Sequence, residues 1–155
     1  MINDQVNSII EDSDGDLWFG TNNGISLLNS KTGQWRSFLS SFEKNQDSRS
    51  HIFTTLCEVL PGVVWAGGYF SGIYQIDKRS SNVSYFTPAS YAYENIRPDK
   101  YIRDIRKDSQ GNIWSGGFYN LKRINVHTKN IQLYHGLNSI TAILERDAKS
   151  MWIGS

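Results

Sequence analysis

The 155-residue chain has a single cysteine, three prolines, no long block of like charge and no long apolar run. With Cys57 alone, no internal disulfide can form, and the redox compartment goes unmarked. The 16 Lys/Arg and 15 Asp/Glu residues are interspersed and leave a formal net charge of +1, so the clustered cations that carry nucleic-acid affinity are absent. No run approaches the roughly 20 apolar residues of a membrane-crossing helix, which predicts no membrane span in this segment. The opening residues 1–6 lack the basic and long apolar regions of a signal peptide. No stretch shows helical periodicity. Apolar material is plentiful, at 39% hydrophobic and 13% aromatic residues, enough to bury a core.

What is present is a repeat. Trp18, Trp65, Trp114 and Trp152 are each followed two residues later by glycine, at Gly20, Gly67, Gly116 and Gly154. The alignment runs backward without a gap: Ile9, Leu56, Ile105 and Ile143 stand nine residues before their tryptophan, and Val6, Phe53, Ile102 and Ile140 twelve before. Spacings of 47, 49 and 38 residues between the tryptophans point to solenoids, propellers or arrays.

Each repeat reads as four short strands. In the first, residues 6–11, 17–19, 25–28 and 34–38 are aromatic or β-branched runs, separated by turn signals at 13–16, 22–24 and 30–33. The second predicts strands at 54–58, 63–66, 73–76 and 83–86, and the third at 102–106, 113–115, 121–124 and 131–134. Four antiparallel strands in about 40 to 50 residues match one β-propeller blade. The fold expected is an all-β propeller fragment of about three and a half blades, at about residues 6–38, 52–86, 101–134 and, for the half blade, 139–155.

The pattern Asp-x-x-Gly-x-(Leu/Ile)-Trp-x-Gly, at 12–20 and 108–116, resembles the two-component-regulator propeller repeat of bacterial hybrid sensor histidine kinases. The resemblance covers nearly the whole chain. It departs at Val59 and Arg146, where the aspartate should stand, and at Lys149, where the turn glycine should stand. It implies a periplasmic sensor segment of a membrane-anchored two-component system, non-catalytic itself, serving signal transduction and often responding to glycan fragments. Any kinase would lie elsewhere in the parent protein.

The motif itself reads as structural. An indole on a blade's second strand fills the space between adjacent sheets, and the glycine leaves room for a neighbour. Asp12, Asp14 and Asp16 suggest calcium by their alternation, but Leu17 and Asn23 stand where a calcium-binding hand needs glycine and glutamate. A turn whose aspartates cap backbone amides is the preferred reading, with no metal and no cofactor. Cys57 aligns with Ile10 and Leu144 and reads as a small core residue rather than a nucleophile. His51, His127 and His135 lack ligand spacing. Glu11, Glu58 and Glu145 share one repeat position, which suggests a shared structural role rather than an acid/base pair. No catalytic residue is assigned.

The repeats differ most in the loops expected on one face near the central opening. Tyr69, Phe70, Phe118 and Tyr119 offer aromatic pairs there that would suit a sugar or a peptide, or would pack neighbouring blades. The inter-blade segments at 39–50 and 88–100, the latter with Tyr91, Tyr93 and Arg97, lie on the same face. Arg103 and Asp104 place charge on an innermost strand, as a salt-bridge network or as ligand contacts. The candidate ligand-binding set is therefore Tyr69, Phe70, Arg103, Phe118 and Tyr119, for an oligosaccharide or other small solute. A protein-interaction scaffold and, more remotely, a propeller lyase or hydrolase are the alternatives. About three and a half blades do not close a ring of about 4 to 8, so self-association is expected, as a homodimer of complementary arcs.

Overall fold

The computed structural model describes residues 1–39, 51–86 and 100–155. Its described residues form fourteen strands and no helix. The first sheet is β1 (Val6–Glu11), β2 (Leu17–Thr21), β3 (Gly24–Leu28) and β4 (Trp35–Phe38). The second is β5 (Phe53–Leu60), β6 (Val63–Gly68), β7 (Gly72–Asp77) and β8 (Val83–Tyr85). The third is β9 (Ile102–Lys107), β10 (Asn112–Gly117), β11 (Leu121–Asn125) and β12 (Ile131–Tyr134), and β13 (Ala142–Asp147) pairs with β14 (Ser150–Gly154) in a two-stranded fourth. Every pairing is antiparallel between consecutive strands, the meander of a propeller blade. First strands adjoin from sheet to sheet, β1 beside β5, β5 beside β9 and β9 beside β13, so they line the inner side of the arc.

Three apolar clusters fill the three seams. Trp18 packs with Phe53, Leu56 and Val64 between sheets one and two; Trp65 with Ile102, Ile105 and Ile113 between two and three; Trp114 with Ile140 and Ile143 against the last hairpin. Each buried indole also meets an aromatic ring from the outer part of its own blade. Phe38 stacks on Trp18 at 5.5 Å, Phe86 lies 4.3 Å from Trp65, and Tyr134 stacks on Trp114 at 5.4 Å.

The Trp-x-Gly spacing now has a cause. A Cβ at Gly67 would lie 2.5 Å from Ile102 and 3.1 Å from Ile105 of the next blade, and one at Gly116 would lie 2.5 Å from Ile140 and 3.2 Å from Ile143. The glycine is a socket for the apolar pair twelve and nine residues before the following tryptophan.

Trp152 differs from the other three. It is 61% exposed, as is Leu144 across the strand pair at 65%, because no described residue stacks on that side of the last hairpin. Turn geometry follows the motif where the glycine is kept: Gly15, Gly62 and Gly111 have φ of 83°, 77° and 84°, a region that suits a residue without Cβ. The fourth copy, with Lys149 there, pairs Asp147 directly with Ser150 in a shorter hairpin, as the second copy pairs Leu60 with Val63; these are the two copies without the motif aspartate. The second strand of the first blade continues through Gly20 to Thr21, two residues beyond its expected end, because Thr21 pairs with Gly24 across the tight turn.

Candidate functional site

Two ends of the blades carry different chemistry. At the end where the first and second strands join, the motif aspartate organises a turn and the tryptophan together. Asp12 accepts hydrogen bonds from the amides of Asp14 and Asp16, each at 3.0 Å, and from Trp18 Nε1 at 2.8 Å. Asp108 repeats this with Gln110 N, Asn112 N and Trp114 Nε1 at 3.0, 2.7 and 2.9 Å. Where Val59 replaces the aspartate, Trp65 donates instead to Gln75 Oε1, at 3.3 Å. Where Arg146 replaces it, the guanidinium lies over the Trp152 ring, 5.7 Å from its centroid.

The aspartates of the first turn surround a protein cation. Lys78, from the turn after β7, places Nζ 2.7 Å from Asp12, 2.9 Å from Asp14 and 2.8 Å from Asp16. The ammonium stands where a metal would have to stand. Burial works to raise the Asp16 carboxyl, but Lys78, Ser30 and Asn29 outweigh it and hold its pKa down to about 2. Asp12 is likewise lowered: desolvation opposes, and hydrogen bonds from Lys78 and Trp18 prevail. Lys78 is itself raised above its ordinary value despite burial, by the same three carboxylates.

Glutamates at the shared position clamp blades together. Both Glu58 oxygens accept from Ser13, at 2.8 Å from N and 2.9 Å from Oγ. Glu145 does the same for Ser109, at 2.9 and 2.6 Å. Between the second and third blades the two corresponding positions hold Leu60 and Lys107, so that seam lacks this clamp. Asp104 is buried on β9 and accepts from Ile143 N at 2.8 Å, as Thr55 Oγ1 accepts from Ile105 N at 3.1 Å; it is a stitch between first strands, also paired with Arg106. Cys57 is half-buried in the second seam, and desolvation pushes its thiol up to about 11 against the pull of Lys107 and Arg106, which leaves it a poor nucleophile. His51 hydrogen-bonds Leu39 O through Nδ1 at 2.9 Å, and no described trio of His, Cys, Asp or Glu is placed to hold a metal.

At the opposite end, the turns after each second strand form the loop face. Here Tyr69, Phe70, Phe118 and Tyr119 come together through a fifth ring, Tyr101. Phe70 lies 4.3 Å from Tyr101, Tyr69 6.2 Å edge-on, Phe118 5.9 Å, and Tyr119 5.0 Å edge-on to Phe118. The first four are 42–52% exposed, so the rings touch one another while presenting faces to solvent. The patch straddles the seam between the second and third blades. Phe70 has φ of 57°, an unfavourable left-handed conformation for an aromatic residue, and the turn that carries it is one residue longer than that of the first blade.

Tyr101 is the residue that reasoning by loops passed over. It stands thirteen residues before Trp114, the position held by Gln5 and Ile52 in the other blades, and that column contained the signal. In the first blade the same three positions hold the amides Gln5, Asn22 and Asn23: Asn22 donates to Gln5 Oε1, and Asn7, at the position of Arg103, donates to Asn22 Oδ1 at 2.8 Å and to Phe53 O at 3.2 Å. The loop face is thus polar over blade one and aromatic over blades two and three. Arg103, half-buried on β9, has no ion pair or ring contact with any described residue and does not join the cluster. The segments at 40–50 and 87–99, with Tyr91, Tyr93 and Arg97, lie outside the described residues.

Solved structures share this architecture. The extracellular domain of B. thetaiotaomicron BT3049, described as a hybrid two-component system, superposes with a TM-score of 0.77 at 23% identity, covering 99% of this chain and 19% of that one. That of BT4673, described in one structure as a one-component and in another as a hybrid two-component system, gives 0.72 at 19% identity over 99% of this chain and 22% of that one. At these identities the likeness speaks for the fold, and the chain spans about a fifth of the length of each neighbour. No curated protein matches the sequence. Residues 1–23 and 96–119 match the family model described as a two component regulator propeller. The matched stretches hold the first and third copies of the tryptophan motif, the two that keep its aspartate and turn glycine.

Proposed function

We propose that this chain is the ligand-sensing part of an extracytoplasmic propeller in a two-component sensor, and that it binds a glycan or similar small solute on the loop face. The periplasm is the compartment this reading implies, and the segment itself is non-catalytic, with any histidine kinase carried elsewhere in a longer protein. The observation that carries the proposal is the five-ring patch in which Tyr69, Phe70, Phe118 and Tyr119 are solvent-exposed and pack around the half-buried Tyr101. Rings of this kind stack on the apolar face of a sugar, and the neighbouring amides of Gln5, Asn7 and Asn22 offer donors and acceptors for hydroxyls. The match of two repeats to the two component regulator propeller model and the extracellular-domain neighbours support the sensor reading.

The test is calorimetric titration with short neutral and acidic oligosaccharides. A ligand found this way should lose about five- to a hundredfold in affinity when Tyr69 and Tyr119 are both replaced by alanine, with the melting temperature unchanged, since each stacked ring is worth about 0.5–1.5 kcal/mol. An unaltered affinity would remove those positions from the site.

A further inference from the structure

The first strand of each four-stranded blade carries a bulge at one column of the repeat. Register slips between Val6 and Ser8, between Phe53 and Thr55, and between Ile102 and Asp104, so Asn7, Thr54 and Arg103 are the extra residues. A bulge re-aims the side chain it carries. In the first two blades that side chain ties one blade to the next, since Asn7 Nδ2 donates to Phe53 O at 3.2 Å and Thr54 Oγ1 donates to Ile102 O at 3.1 Å. Asn7 also donates, at 2.8 Å, to Asn22 at the tip of its own loop. The third blade breaks the series. Arg103 is half-buried, yet its guanidinium has no hydrogen bond, ion pair or ring contact with any described residue. It stands in the column from which a side chain reaches the loop tip, and in this blade the tip residues are Phe118 and Tyr119. Tyr101, at the centre of the aromatic patch, is two residues back along the chain.

Charge on this face is one-sided. The loop-face segments of the second and third blades, residues 51–54, 68–72, 100–103 and 117–120, contain Lys100 and Arg103 and no aspartate or glutamate. The motif aspartates and the clamp glutamates stand at the opposite end of the blades, and Asp104, next to Arg103 in the chain, is taken up by Ile143 N and Arg106. We propose that the loop face takes an acidic oligosaccharide, its carboxylate or sulfate held by Arg103 while an adjoining sugar ring stacks on Phe118 and Tyr119. This rests on the sensing reading above and names the chemical class of its ligand. A partly desolvated cation costs free energy until it is paired, and the planar guanidinium fork matches the oxygens of a carboxylate or sulfate. A neutral sugar leaves that cation without a counter-charge. An acidic one supplies it beside the rings.

Calorimetric titration of the 155-residue chain with matched probes tests this. The probes are a galacturonate tetrasaccharide and its carboxyl-reduced form, and a sulfated galactan tetrasaccharide and its desulfated form. At least one acidic probe should bind about tenfold or more tighter than its neutral counterpart, the scale of a charge-assisted hydrogen-bonded pair, and the arm that does so tells carboxylate from sulfate. Arg103→Gln should remove that advantage, leaving circular dichroism and the affinity for the neutral form unchanged, and Arg103→Lys should restore part of it. Replacing Tyr69 and Tyr119 by alanine should instead weaken acidic and neutral forms alike. Neutral probes that bind as tightly as acidic ones, with Arg103→Gln silent and the tyrosine variant impaired, would overturn the acidic class and leave the sensing reading standing. An acidic preference that survives Arg103→Gln would overturn the role of Arg103. A chain that binds none of the four would overturn this proposal, and the sensing reading would fall only if the wider set of neutral and acidic oligosaccharides also failed to bind.

Discussion

Replacing Lys78 by methionine probes the polar latch between the first two blades. The ammonium is 2.7 Å from Asp12 and 2.8 Å from Asp16, and both carboxylates are nearly inaccessible, with side-chain exposures of 0% and 4%. Two oxygens so close to one nitrogen are at most about 5.5 Å apart, and at an effective dielectric of about 20 their mutual repulsion without the cation is about 3 kcal/mol. Their remaining hydrogen bonds, to Trp18 Nε1 and the turn amides for Asp12 and to Ser30 and Asn29 for Asp16, soften the loss. The expected destabilisation at pH 7 is about 3–5 kcal/mol, the range for removing one partner of a buried pair.

The pH dependence carries the sharper sign. In the unmodified chain, Asp16 has a folded pKa of about 2 against an ordinary 3.8, so its contribution is present above about pH 4 and is lost as pH falls through about 2. Without Lys78 the burial and repulsion raise both carboxyls above their unfolded values. The penalty is then full at neutral pH and relieved as protons bind, and the gap between variant and parent should narrow between about pH 6 and pH 4. Urea unfolding followed by tryptophan fluorescence at pH 7 and pH 4.5 measures it. A deficit below about 1 kcal/mol at pH 7, or one that widens on acidification, would refute the account of the cluster.

Two further outcomes follow from the seams. Gly116→Ala, whose Cβ would sit 2.5 Å from Ile140, should lose about 1–3 kcal/mol by overpacking, whereas Gly154→Ala should stay within about 0.5 kcal/mol; equal shifts in thermal unfolding would contradict the socket. A double-mutant cycle on Ser109→Ala and Glu145→Ala should return a coupling of about 0.5–1.5 kcal/mol, and denaturant titrations showing simple additivity would mean that the clamp contributes nothing to stability.

The sequence by itself determined the repeat, the meander of short strands and the tryptophan seam. These rest on local rules: alternation sets strand faces, turn residues set hairpins, and a bulky indole followed by glycine recurs at one register. The shared place of Glu58 and Glu145 was also legible as a structural one, because position in a repeat predicts environment. Only the tertiary structure decided which neighbour each group meets. Lys78 reaches Asp12 across 66 residues, and by strand register its repeat counterparts are Ser30 and Val126, so no periodicity marks it. Tyr101 joins Tyr69 and Phe70 to Phe118 because stacking of the second and third blades brings a first-strand entry beside two loop tips. Trp152, identical in motif to Trp18, is exposed where Trp18 is buried, since burial belongs to the stacked pair of sheets and not to the residue. Strand and turn are written within a few residues; the contacts that join blades are set by how whole sheets pack.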